Sequence, residues 1–270
     1  CRRRRIPFAA YVGTAHSLDS NFKSKVMNAL FAAGTLRIYK KNPVLAKTSA
    51  AKEELRQLGV PHAVIAPVGL DNAVLKKNIP ADEKMRLRKE HGFEADDVIL
   101  CNVSRLSWEK RPLELIDLFL QVKGKKKFKL IIVGNGPLEE ELNEKIRKNG
   151  LEKEVKIYPN VPYEKMWEIY EMSDHYLNMN KGEIFGMAIM EAVYYKTSVA
   201  AIRALGPSVT LKDMKGHKLC ENDDEMAEWI TGPYPSEKDL QESSEKMAAT
   251  FTWDRCADAF LQASSEKSSR

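Results

Sequence analysis

Two carboxylates stand eight positions apart in the segment Gly182-Glu183-Ile184-Phe185-Gly186-Met187-Ala188-Ile189-Met190-Glu191-Ala192. A helix starting near Phe185 would put Glu183 just before it and Glu191 about two turns in, spreading the pair over about 9–12 Å of one wall. That span suits an extended polar ligand better than a single atom. Gly186 permits close backbone approach at the helix N-terminus, where free N–H groups and the dipole favour negative charge. Arg105 and Lys110 lie in Ser104-Arg105-Leu106-Ser107-Trp108-Glu109-Lys110-Arg111-Pro112, between an apolar run and a helix. Arginine grips phosphate oxygens bidentately and lysine adds a compact charge, so the two could share a diphosphate. His16, in Gly13-Thr14-Ala15-His16, falls at the carboxyl end of an expected strand, where parallel α/β sheets bind ligands. Each feature has a plainer reading. The glutamates can decorate an amphipathic helix, the cations can be helix-start charges, and a lone histidine is often structural.

The elements that must position these groups alternate between strand and helix, which predicts α/β layering. Strands are expected over residues 6–15, 44–48 and 63–66, with helices over 20–33 and 50–58, the second capped by Ser49 and stopped by Gly59. From Pro67 to Pro80 periodicity is lost, and this stretch with the charged helix after it, residues 81–90, is the expected interdomain linker. A second series follows: strands 98–103, 128–133, 155–158, 175–177 and 197–202, with helices from Pro112 to Val122, 139–148 and 163–171. Trp167 and Tyr170 fall on the core face of the last of these. Gly134-Asn135-Gly136 begins like a dinucleotide fingerprint, but Glu139 stands where the third glycine is needed. The two glycines still allow close backbone approach to a ligand, or simply shape a turn. Gly206-Pro207-Ser208 turns the chain, helices follow over 223–230, 236–250 and 253–263, and the polar residues 264–270 are expected to be disordered.

Composition narrows the class. Hydrophobic residues make up 43% and charged residues 30% of 270, a globular balance. No apolar run approaches the ~20 residues of a membrane span, and nothing resembles a signal peptide, so a cytoplasmic protein is expected. The cysteines at 1, 101, 220 and 256 have neither zinc-ligand spacing nor the density of a disulfide framework. Asp96-Asp97 precedes a strand as a surface turn, and no Asp-x-Asp marks a strand end. The net charge of +5 is uneven, with runs at Arg2–Arg5 and Lys123–Lys129 and a scatter at Lys23, Lys25, Arg37, Lys40 and Lys41. Interleaved with Phe22, Leu30, Phe31 and Leu36, that scatter is a candidate for peripheral contact with anionic lipid at the inner face of the membrane. A core helix with a basic outer face explains the same residues. The chain opens at Cys1 on a strand with no preceding element, which reads as a fragment lacking its N-terminal portion.

Taken in order, the motifs resemble the retaining nucleotide-sugar glycosyltransferases of the GT-B fold, the "group 1" or family 4 type. The resemblance covers nearly the whole chain. It rests on Pro67-Val68-Gly69-Leu70-Asp71, Val103-Ser104-Arg105-Leu106 with Lys110, and Ile132-Val133-Gly134-Asn135-Gly136-Pro137-Leu138. It continues with Val161-Pro162, Tyr170, Asp174, Glu183-Ile184-Phe185-Gly186-Met187, Glu191-Ala192 and Phe251-Thr252-Trp253. The fold it implies is α/β: two Rossmann-like parallel-sheet domains facing across a cleft, the N-terminal one incomplete. Residues 1–70 would be the C-terminal part of the acceptor-side domain, 71–250 the donor-binding domain, and 251–270 a crossover helix and disordered tail.

The resemblance also implies roles. Arg105 and Lys110 would hold the donor diphosphate and stabilise the leaving group, and Glu183 would hydrogen-bond the donor sugar. Backbone N–H groups near Phe185, Gly186 and Met187 would contact sugar and phosphate, and Glu191 would accept ribose hydroxyls. Gly134 and the segment after Tyr158 would border the base, and His16 would lie near the reacting sugar. The activity implied is metal-independent transfer of a hexose, with retention, from a UDP- or GDP-sugar to a cell-envelope glycan or lipid. No separate cofactor and no nucleic acid partner is implied. Asn178-Met179-Asn180 replaces the usual Pro-Ser segment, Ile184 and Lys196 stand where glycines are frequent, and Leu205-Gly206 replaces paired glycines. Those departures motivate an alternative: a non-catalytic binding or assembly protein that keeps the fold.

Overall fold

A computed structural model describes residues 9–13, 26, 28–30, 34–71 and 75–268. His16, the basic run Arg2–Arg5, and Phe22, Lys23, Lys25 and Phe31 lie outside the described residues, as does most of the helix expected over 20–33. The chain forms two compact units, residues 1–71 with 251–270, and residues 72–250.

In the first unit, β1 (Ala10–Val12), β2 (Val44–Ala46) and β3 (Val64–Ile65) make a parallel sheet in the order β1-β2-β3. Between them lie α1 (Thr35–Tyr39) and α2 (Ser49–Gln57). The cap of α2 is Thr48, one residue earlier than the sequence suggests. Thr48 has the extended backbone of an N-cap, and its hydroxyl accepts from the Ala51 N–H at 3.0 Å, while Ser49 is already helical. Gly59 takes φ +80° beyond the helix end, the left-handed turn for which glycine is suited.

The second unit starts with α3 (Glu83–Glu90) and then builds a six-stranded sheet. In chain order it contains β4 (Val98–Val103), α4 (Pro112–Val122), β5 (Phe128–Val133), α5 (Glu139–Lys148), β6 (Val155–Tyr158), α6 (Met166–Met172), β7 (His175–Asn178), α7 (Met187–Tyr194), β8 (Ser198–Ile202), α8 (Leu205–Thr210), β9 (Lys218–Cys220), α9 (Asp223–Thr231) and α10 (Glu237–Thr250). The strand order is β6-β5-β4-β7-β8-β9, every pair parallel. The apolar runs of β4 and β5 are continuous rather than alternating because helices cover both faces. Ile99, Leu100, Cys101, Leu130, Ile131 and Ile132 are all fully buried. Asp97, expected on a surface turn, is buried as well, its carboxylate accepting from the Glu94 N–H.

Four further elements differ from the sequence reading. Helix α7 begins at Met187, not near Phe185, because Gly186 adopts φ +86° and ends the incoming loop. The turn expected at Gly206-Pro207-Ser208 is instead the short helix α8, and β9 adds a strand that the sequence did not announce. The last helix, α11 (Trp253–Ser268), belongs to the first unit and runs through most of the tail expected to be disordered. Extending a helix already begun is far easier than starting one, so polar residues can follow passively. Ala263 shares a small core with Leu45 and Ala66 of the first unit's sheet. A Cβ on Gly69 would lie 2.2 Å from the Trp253 backbone nitrogen, so only glycine lets the two segments approach this closely.

Candidate active site

The second sheet reverses direction between β4 and β7: the chain runs from β4 outward to β5 and β6, then returns to the other side of β4. Loops leaving the carboxyl ends of such neighbours diverge to opposite faces and leave a crevice between them. The ladder pairs only Leu100 with His175 and Cys101 with Tyr176. Beyond it the buried Asn102 bridges the strands, donating Nδ2 to the Leu177 carbonyl at 2.8 Å and accepting from Ser104 Oγ at 2.9 Å. Side-chain hydrogen bonding thus replaces the ladder where the crevice opens.

Both groups of charges singled out in the sequence emerge there. Lys110 ends a short 3₁₀ turn, Trp108–Lys110, after β4, and Glu183 lies in the loop after β7. Lys110 Nζ and Glu183 Oε2 form an ion pair at 2.8 Å. The same oxygen accepts from Asn180 Nδ2 at 3.1 Å. Burial pushes the Glu183 carboxyl up, but Lys110, Asn180 and Asn178 outweigh it and hold its pKa below the ordinary value. Arg105 is exposed, and no ion pair among the described residues holds it. Its neighbour in sequence, Arg111, does the opposite: it grips Asp223 through two bonds of 3.0 and 2.8 Å and fastens the loop to the start of α9. Arg111 sits at φ +56°, just before Pro112 at the first turn of α4.

The loop after β7 delivers α7 with its N-terminus facing the crevice. No side chain caps it, so the dipole and first N–H groups favour an anion. A Cβ on Gly186 would come within 2.8 Å of Ile189 Cδ1, on top of the strained φ. Phe185 is buried, and Met187 opens the helix. Gly206 donates its N–H to the Glu183 carbonyl at 2.8 Å, and a Cβ there would lie 2.5 Å from the Phe185 nitrogen. Only glycine fits at this position beside Leu205.

Glu191 lies on the second turn of α7 and is buried. Tyr170 donates to its Oε2 at 2.7 Å and Tyr163 to its Oε1 at 3.1 Å. Burial raises its pKa against those two hydroxyls. The two glutamates of the opening motif therefore have different surroundings: Glu183 is held by a cation and amides, Glu191 by phenols. General acid/base exchange between them is not the arrangement seen.

Gly134, at φ +135°, packs on the loop after β4, where a Cβ would sit 2.0 Å from the Ser104 carbonyl oxygen. Leu106 N–H donates to the Asn135 carbonyl and Leu138 N–H to the Leu106 carbonyl, at 2.9 and 3.0 Å. The glycine's close approach is thus to the protein's own backbone, and it locks the Arg105 loop to its neighbour.

Three residues of this region were not singled out as site residues. Asn180 stood in the sequence only as part of a departure from a pattern. Tyr163 had no spacing signal, since its partner Glu191 is 28 positions away. Arg111 was masked by the proline that follows it.

The family model for glycosyl transferases group 1 matches residues 83–247. D-inositol 3-phosphate glycosyltransferase of Mycobacterium avium is 26% identical over 285 residues, which take in 93% of this chain and 62% of that protein. Alpha-monoglucosyldiacylglycerol synthase of Streptococcus pneumoniae is 24% identical over 139 residues, covering 51% of this chain and 32% of that one. Among solved structures, Anabaena HepE in complex with UDP and glucose aligns with a TM-score of 0.78 at 18% identity, over 100% of this chain and 73% of its own. At that identity the likeness is one of fold. The chain spans less of its curated relatives than they span of it, reaching only 62% of the mycobacterial protein's length.

Proposed function

The chain belongs to the group 1 glycosyl transferases and has the GT-B fold, and from that premise we propose that it transfers a hexose from a nucleoside-diphosphate sugar to a cell-envelope glycan or lipid, with retention of configuration. The observation that carries the proposal is the Lys110–Glu183 pair at the β4–β7 switch point, with Arg105 exposed on the same loop and an uncapped helix N-terminus next to it. A departing nucleoside diphosphate gathers charge on its phosphates. Fixed cations and N–H dipoles aimed at that charge stabilise the transition state without having to reorganise.

In this reading Lys110 and Arg105 take the diphosphate, with the backbone around Phe185, Gly186 and Met187 completing its cradle. Glu183 takes a sugar hydroxyl and Glu191 the ribose, displacing Tyr163 from Oε1. Gly134 shapes the loop that borders the base. For His16, which lies outside the described residues, the role is the one that the resemblance implies. The relatives' names fit a polar or lipid acceptor, one acting on inositol 3-phosphate and another making a glucosyldiacylglycerol. No helix among the described residues is long and apolar enough to cross a membrane.

The test is turnover of a UDP- and GDP-sugar panel by the full-length protein. Glu183→Ala and Lys110→Ala should each cut the rate by roughly 10²–10³-fold, the scale of losing one transition-state contact. Unchanged turnover in both variants would sink the proposal.

A further inference from the structure

We infer that Asn180 is the positioning residue that holds Glu183 in place while Lys110 exchanges Glu183 for the donor's phosphates. The inference rests on the reading of the site just given and deepens it. In the ligand-free chain, Lys110 and Asn180 both donate to one oxygen, Glu183 Oε2. These partners are not equivalent. A diphosphate competes strongly for an ammonium and hardly at all for a neutral amide already bonded elsewhere. Donor binding therefore draws Lys110 away from a carboxylate that is mostly buried, and a buried charge stripped of its partner is costly. Something must retain it.

Asn180 is built for that task. Its side chain is buried, and its Oδ1 accepts from the Gly182 N–H at 2.9 Å. Its own backbone N–H donates to Asn178 Oδ1 at 3.0 Å. Asn178 is itself buried at the carboxyl end of β7. Asn180 is thus held by the turn that carries Glu183 at its backbone N–H and again at its side-chain Oδ1, which leaves Nδ2 aimed at Glu183. Preorganised donors of this kind lose no freedom when the ligand arrives. The consequence is a division of labour: Lys110 is the mobile partner and Asn180 the stationary one.

The experiment uses the full-length protein with UDP for binding and the sugar nucleotide it turns over for kinetics. Asn180→Ala should lower kcat roughly ten- to a hundredfold, the scale of a misplacement of about 1 Å, with the UDP Kd changed by less than about threefold because the phosphate contacts remain. Asn180→Asp is isosteric and keeps the acceptor for the Gly182 N–H, but sets a carboxylate against Glu183. Its kcat should fall at least as far. Asn180→Ser, which retains a shorter donor, should recover part of the loss. A kcat within about twofold of wild type in the folded alanine variant overturns the inference, and so does a UDP affinity that falls in step with kcat. Should the alanine variant fail to fold, the aspartate and serine variants carry the kinetic comparison. A crystal structure of the wild-type protein with UDP tests the exchange directly. Glu183 should remain on Asn180 with Lys110 on phosphate, and Glu183 found on Lys110 and off Asn180 overturns it. A wild-type protein that binds neither UDP nor GDP and turns over no nucleotide sugar fails the functional reading itself, a result distinct from any Asn180 outcome.

Discussion

At the amino end of β7, Asp174 receives Arg88 at 2.6 Å, Lys84 at 2.9 Å and the Ile99 N–H at 2.8 Å, whereas at the carboxyl end Glu183 receives one lysine and an amide. Both are carboxylates held by cations inside the same unit, and burial is outweighed in each, so both carboxyls are held below their ordinary pKa. They differ in what their partners do next. Arg88 is buried and also donates to the Met172 and Asp97 carbonyls. Lys84 reaches the Ser173 carbonyl as well. Both cations at that end are also tied to backbone carbonyls at the end of α6, and the third donor is itself backbone of β4, so the cluster is a clasp. Lys110 has no such second anchor among the described bonds, and Arg105 stands exposed beside it. An ion pair with a releasable cation is a site in waiting, and one whose cation is riveted to carbonyls is structure.

The largest effect expected from this contrast is at the clasp. Arg88→Ala should cost about 3–5 kcal/mol of stability, measured by urea unfolding, by breaking the buried pair with Asp174, which keeps Lys84 and the Ile99 N–H, and by taking the donor from the Met172 and Asp97 carbonyls, while nucleotide affinity per folded molecule stays the same. Lys110→Ala should show the reverse pattern: turnover lower by roughly 10²–10³-fold, with the melting temperature moved by no more than the 2–4 °C that about 1 kcal/mol represents in a domain of this size. If Lys110→Ala unfolds the protein and Arg88→Ala abolishes binding, the contrast is wrong.

Acid should find the amino end first. His175 and His217 are buried there, and burial pushes each pKa from 6.5 down to about 4. Asp174, Lys126 and Lys84 are the charges that act on His175, and Tyr234 packs edge-on against its ring. The unfolded chain takes up protons that the folded chain refuses. The stability tied to these rings is therefore present above pH 6.5 and lost as pH falls toward 4, on the order of 3 kcal/mol for each. His175→Phe should flatten that slope in a pH series of denaturant melts. The smallest effect concerns Glu191, which lies between the two extremes. Tyr170→Phe removes one of its two hydroxyl donors and should cost about 1–3 kcal/mol of stability with a modest loss of nucleotide affinity. A loss of affinity without any loss of stability would move Tyr170 from the structural side of the contrast to the functional one.

Much of this was legible before any coordinates. The continuous apolar runs of β4 and β5, the glycine stop after α2 and the proline that opens α4 each report a local preference, and the structure places those elements where the sequence did. Short segments were less readable. Lys218–Cys220 is a strand because β8 offers it a parallel edge, and Leu205–Thr210 is a helix although it holds a glycine and a proline. Neither fact is carried by the residues' own propensities.

Local order dictates the alternation of strand and helix, the charged residues at strand ends, and the left-handed turn at Gly186, because these depend on neighbours within a few positions. Packing over long separations set who meets whom. It set Lys110 against Glu183 across 73 positions, Tyr170 against Glu191 across 21, and Arg88 against Asp174 across 86. It also made Asn180 a support and Gly134 a packing contact. Partner choice follows from strand order, and strand order is settled by how the whole set of apolar faces can be buried at once. That is a property of the sum, so no local spacing could reveal which of the two glutamates a lysine would hold.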